Sequence, residues 1–170
     1  MGPATNPLSI AFAKTTRPVA TSIVPRERLF ARLDGGPGRT VAWISGPPGA
    51  GKTSLAASYA ETRRLRTLWY QVDPDDADVA TFFHYLGRAA RKLDAARARE
   101  LPAYKPQFAG DLDSFAKKYF RQLFGRAKGQ QALVLDSLHA VPPDSPLLAV
   151  LEVALAHVPK GWVVLVTSSA

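Results

Sequence analysis

Trp43-Ile44-Ser45-Gly46-Pro47-Pro48-Gly49-Ala50-Gly51-Lys52-Thr53-Ser54 is the stretch that decides the fold. Gly46, four intervening residues, then Gly51-Lys52-Thr53 satisfy the spacing G-x-x-x-x-G-K-[ST] in full. Val41-Ala42-Trp43-Ile44 just before it is a short apolar run suited to a buried strand, and a helical pattern follows Lys52. Glycines let the backbone wrap an anion with no Cβ in the way. Successive backbone N–H groups then face inward, and the N-terminal end of the helix adds positive potential. The stretch therefore reads as a phosphate-binding loop. Lys52 is expected to reach the β- and γ-phosphates and Thr53 to coordinate Mg²⁺. Gly46, Pro47, Gly49, Ala50, Gly51 and Ser54 complete the expected nucleotide contacts.

The 170 residues fit one domain, and 46% apolar content is enough for a real core. Cysteine is absent, which excludes disulfides and thiolate metal sites and fits a reducing cytoplasm. Met1–Ala13 has no basic leader and no long apolar run, and no stretch approaches the roughly 18 apolar residues of a membrane helix. Lys and Arg outnumber Asp and Glu by 22 to 14, a net charge of +8. The charges are spread over helical segments, as solvated faces are, and no nucleic-acid motif appears.

Residues 1–17 read as a loose tail, and 18–170 as the nucleotide-binding domain. Pro18–Pro25 reads as extended, with a short helix from Pro25 to about Leu33. Apolar runs predict strands at Thr40–Ile44, Arg66–Val72, Gln130–Asp136 and Trp162–Thr167. Helical spacing predicts helices at Lys52–Arg64, Ala77–Glu100, Asp111–Ala127 and Leu147–His157, with Asp76 or Asp78 as a cap for the second. Strands alternating with helices argue for an α/β fold whose parallel sheet is covered on both faces. Ligands of such sheets bind beyond the carboxyl ends of the strands, where the loop and Asp136 both fall.

Ala132-Leu133-Val134-Leu135-Asp136 is an apolar strand ending in an acid, the pattern of a Walker B segment beside a phosphate loop. Asp136 and Thr53 are thus the expected Mg²⁺ ligands, and Lys52 and Asp136 the expected catalytic pair. Ser137 stands where a hydrolytic relative often has a second acid to orient or deprotonate water. Slow hydrolysis, or binding without turnover, is the expectation; Glu152 and the Asp73–Asp78 cluster are the other acids to consider. The pairing of phosphate loop and Walker B segment resembles the ASCE branch of phosphate-loop ATPases, in which the polar end of the strand after Walker B can sense the γ-phosphate; that resemblance implies Thr167 or Ser168 as the sensor. His139 reads as a turn residue close to the site.

Ile23-Val24-Pro25-Arg26-Glu27-Arg28-Leu29, Gly46–Thr53, Leu68-Trp69-Tyr70-Gln71-Val72-Asp73, Phe82-Phe83-His84-Tyr85-Leu86, Leu133–His139 and Val163–Ser168 follow one another in order. Together they resemble the nucleotide-binding domain of STAND ATPases, specifically the large ATP-binding LuxR-family transcriptional regulators of the maltose-activator type. The resemblance covers most of residues 19–169. It implies an ASCE-type P-loop NTPase, a three-layer sandwich with a mainly parallel sheet, ending here after the fourth core strand. It places the last strand between the Walker B strand and the phosphate-loop strand. It also implies that Val24, Pro25 and Arg28 lie by the adenine. The function implied is a switch: ADP holds a resting state, while ATP with an inducer or regulatory protein permits self-assembly. DNA would be reached only through domains absent from this chain, and no membrane is involved. A working ATPase or small-molecule phosphotransferase, and a nucleic-acid-associated loader ATPase, are the alternatives. The chain keeps Asp136 and His139 of the family's Walker B region but has Ser137, and it has Ser169 where the family often has arginine.

Overall fold

The computed structural model describes residues 6–19, 24–125 and 128–169. The centre of the segment read as extended (20–23), the end of the helix read to Ala127, and Arg126 lie outside the described residues.

The strands are β1 (Val41–Gly46), β2 (Arg66–Gln71), β3 (Gln131–Asp136) and β4 (Trp162–Ser169). They form one parallel sheet in the order β1-β4-β3-β2. The last strand thus lies between the phosphate-loop strand and the strand ending in Asp136, as the resemblance implies. Every residue of β3 is buried, as a central strand of a doubly covered sheet requires. Alternate residues serve opposite faces. Leu68, Tyr70, Leu133, Leu135, Val164 and Val166 pack on one side, while Trp69, Val134 and Leu165 pack on the other with Ala42 and Ile44.

The helices are α1 (Pro7–Lys14), α2 (Glu27–Asp34), α3 (Lys52–Thr62), α4 (Val79–Leu93), α5 (Ala95–Arg99), α6 (Leu112–Phe124) and α7 (Pro146–Ala156). Phe82, Phe83 and Leu86 of α4, Phe115, Tyr119 and Phe120 of α6 and Leu147 and Leu151 of α7 fill the larger core. Phe30 of α2 and Leu55, Ala56 and Tyr59 of α3 fill the smaller one. Helices on both faces of a parallel sheet make this a three-layer α/β fold. Among the described residues no helix is long and apolar enough to cross a membrane.

Two elements depart from the sequence reading. The stretch read as a loose tail contains α1: Asn6 caps it by accepting from the Leu8 amide at 3.0 Å, and Pro7 suits its first turn. Its last residue, Lys14, is buried against β2 and pairs with Asp73 and Asp76, 2.7 Å from the latter. The helix read as continuous over 77–100 is three pieces. A 3-10 turn at Pro74–Ala77 precedes α4, and Asp94, in extended backbone, breaks it from α5. The Asp94 side chain accepts from the Arg97 amide at 3.1 Å, a local bond that competes with helix continuation. Asp78 is the α4 cap, accepting from the Ala80 amide, whereas Asp76 turns inward.

Candidate functional site

The strand-to-helix connection after β1 places the glycine loop at the carboxyl edge of the sheet. Gly49 and Gly51 have φ of 78° and 77°, backbone that a side chain would strain. Space around Gly49 is open, and a Cβ on Gly46 would meet the Ala50 methyl at 3.6 Å. α3 starts at Lys52, so its first amides, free of intrahelical partners, border the loop. The Lys52 ammonium donates to the Gly46 and Pro47 carbonyls at 2.9 and 2.8 Å, spanning the loop it belongs to.

Asp136 ends β3 and is buried. Three hydroxyl contacts converge on it. Thr53 Oγ1 donates to its two oxygens at 2.8 and 3.0 Å, and Thr167 Oγ1 donates to Oδ1 at 2.5 Å. Thr167 also accepts from the Ser137 amide at 2.9 Å, so one hydroxyl fixes both the carboxylate and the turn behind it. Ser168 instead donates to the Ser169 carbonyl at 3.3 Å. His139 Nδ1 accepts from the Ser169 amide at 3.0 Å, tying its turn to the end of β4. The other acids are engaged elsewhere: Asp73 and Asp76 with Lys14, and Asp78 in its cap, while Glu152 is exposed on α7.

A cleft of about 620 Å³ runs from the loop along β1 to α2. Arg26, Arg32, Arg39 and Lys52 line it with the half-exposed Trp43, and among the described residues no carboxylate does. Of the lead into α2, Arg26 and Leu29 line the cleft. Val24, Pro25 and Arg28, which the resemblance implied, are exposed and outside its lining. Arg28 and Leu29, adjacent on α2, point about 100° apart, while Val24, Pro25 and Arg26 precede the helix. Arg26 is the residue that sequence reading missed. Its guanidinium lies 3.8 Å from where a Gly51 Cβ would stand, over the loop itself.

The donor set suits a magnesium nucleotide. Thr53 and Asp136 offer hard oxygen ligands side by side, as Mg²⁺ prefers. Among the described residues no cluster of three or more His, Cys, Asp or Glu could hold a metal alone. Phosphate oxygens and water would complete the shell. Opposite the acid, the loop amides and the Arg26 and Lys52 cations suit a polyphosphate.

This sheet order, with a glycine loop after the edge strand β1 and an acid at the end of β3, defines a fold of the P-loop NTPase class. No protein-family model matches the chain. The chain is 31% identical over 138 residues, 76% of its length, to the HTH-type transcriptional regulator MalT of Cronobacter sakazakii (strain ATCC BAA-894). It spans 14% of that relative's length.

Proposed function

We propose that this chain is an ATP- or ADP-binding regulatory switch domain of a signal-transduction ATPase, with slow or absent hydrolysis. The observation that carries the reading is the meeting of Lys52, Thr53, Asp136 and Thr167 at one sheet edge beside a glycine loop. Lys52 and the loop amides bind the β- and γ-phosphates, with Arg26 above them. Thr53 and Asp136 hold Mg²⁺, whose positive charge offsets that of the phosphates. Thr167 positions Asp136 and the Ser137 turn together, so a change at the γ-phosphate end reaches the end of β4 and His139. Ser137 is no base at neutral pH, and Asp73, Asp76 and Asp78 are engaged elsewhere, which supports slow turnover. Similarity to a transcriptional regulator supports a role in transcription control. Nucleotide-dependent self-assembly, in the cytoplasm and with an inducer or regulatory protein, completes the reading.

The test is to denature freshly purified protein and identify released nucleotide, then titrate ADP and ATP with Mg²⁺ calorimetrically. Saturable binding, lost in Lys52→Ala, is expected. A folded sample that takes up neither nucleotide at millimolar concentration would overturn the reading.

A further inference from the structure

On the flank of α4 beside its buried stripe, a crevice of about 260 Å³ opens toward the 101–104 segment. Its floor is aromatic. Phe83 stacks on Tyr104 with ring centroids 5.6 Å apart and tilts against Tyr119 at 4.8 Å. Tyr119 is 2% exposed, yet among the described residues its hydroxyl has no hydrogen-bond partner. Buried hydroxyls are normally satisfied, so an orphan in a cavity wall marks a missing acceptor. The hydroxyl lies 3.7 Å from where a Cβ on Gly87 would stand, and Gly87 lines the same crevice. Glycine inside a helix costs stability, and here its effect is to leave room above the phenol. Burial pushes the Tyr119 phenol up from its ordinary value, so it remains an O–H donor.

The rim is cationic. Arg88 and Arg91 stand one and four residues beyond Gly87 on α4 and line the crevice, and among the described residues no acid does. Neither arginine makes an ion pair among the described residues. Burial, then the nearby Arg88 charge, holds the Lys92 ammonium below its ordinary value. Arg91 in the last turn also suits the helix dipole, but Arg88, a turn earlier, does not have that explanation.

We propose that this crevice binds a small organic acid with a flat apolar body. The ring lies against Phe83 and Tyr104, an acceptor on the body takes the Tyr119 hydroxyl, and the acid group faces Arg88 and Arg91. The volume admits one or two rings, below the size of a nucleotide. The site is independent of the phosphate loop and of the proposed function.

The probe is quinoline-6-carboxylate, whose ring nitrogen is the acceptor on the body, titrated calorimetrically into the full chain, with quinoline-6-carboxamide as the uncharged control. Saturable binding at one site is expected, with the carboxamide at least about tenfold weaker. Gly87→Leu, a good helix former that fills the crevice, should weaken binding at least about tenfold with melting temperature unchanged or raised. Arg88→Gln with Arg91→Gln, both surface changes, should do the same and serves if Gly87→Leu misfolds. Tyr119→Phe should weaken it by about fivefold. No binding of the quinoline acid at 10 mM, or equal binding by wild type and the arginine double variant, overturns the proposal.

Discussion

Thr167 Oγ1 is a buried hydroxyl with two duties, donating to Asp136 and accepting from the Ser137 amide. Thr167→Val keeps the shape and removes both bonds, leaving that amide unsatisfied. A loss of roughly 1–3 kcal/mol by urea unfolding is expected, together with weaker Mg²⁺-nucleotide binding. A change in stability alone would make Thr167 a packing residue. Next to it, Ser137 holds left-handed backbone, φ 64° and ψ 44°, a conformation that Asp tolerates better than most residues. Ser137→Asp should therefore fold and supply the second acid. Phosphate release is expected to rise by roughly 10²-fold over a slow wild type. Brisk turnover by the unmodified chain would show that water is activated by some other group. At this scale the sequence was legible where a motif fixes spacing: Lys52, Thr53 and Asp136 meet at the loop end of the sheet. Arg26 and the double role of Thr167 were not, because both depend on which side chains fold to the same place from positions far apart.

Helix α1 shows the same limit among elements. Its local signals, Asn6 and Pro7, are visible in the sequence, but its anchor is a residue 62 positions away in the chain. Lys14 is 4% exposed and Asp76 is fully buried, the latter also accepting from the Tyr70 hydroxyl at 2.6 Å and the Asp73 amide at 2.9 Å. Lys14→Met keeps the stem and strands the carboxylate. Removing one partner of a buried pair costs roughly 3–5 kcal/mol. Unfolding in urea should show a loss of that size, and limited proteolysis should cut within residues 7–19. Lys14→Met with Asp76→Asn should recover part of it; an additive double variant would mean the two groups do not interact. The α2–α3 contact is smaller and pH-dependent. Arg63 donates to the Asp34 carboxylate at 2.7 and 2.9 Å and Tyr59 at 2.9 Å, which holds Asp34 below its ordinary 3.8. Its stabilisation is present above that value and lost as pH falls through the lower folded one. Burial, then the Asp34 bond, pushes Tyr59 up to about 12, so its share is lost as pH rises from 10 towards 12. Asp34→Asn should flatten the acid limb of a stability–pH curve, and an unchanged limb would rule the contact out. Strand and helix identities, by contrast, were legible, since periods of 2 and 3.6 are local. The break at Asp94 was not, because an acid on a helical face looks the same whether it faces water or caps a new turn.

For the molecule as a whole, the sheet order converts local motifs into one site. Placing β4 between β1 and β3 brings Thr167 level with Ile44 and sets the Asp136 strand two places from the loop strand. Alternation of strands and helices gave a parallel sheet but no order; the order came from the resemblance alone. A nucleotide bound as proposed would touch β1, α3, β3 and β4 together, and so stabilise the whole fold rather than one loop. A ligand at about 100 times its Kd adds roughly 2.7 kcal/mol to the folded state. For a domain of this length that is a rise in Tm of about 5–10 °C. Part of the gross binding energy is spent first, because Lys52 must leave the Gly46 and Pro47 carbonyls to reach phosphate. The rise should therefore grow with the logarithm of nucleotide concentration, be larger with Mg²⁺ than with a chelator, and vanish in Lys52→Ala. A rise that persists in Lys52→Ala, or that inorganic sulfate reproduces in full, would assign the effect to the cationic cleft along Arg26, Arg32 and Arg39 instead of the loop.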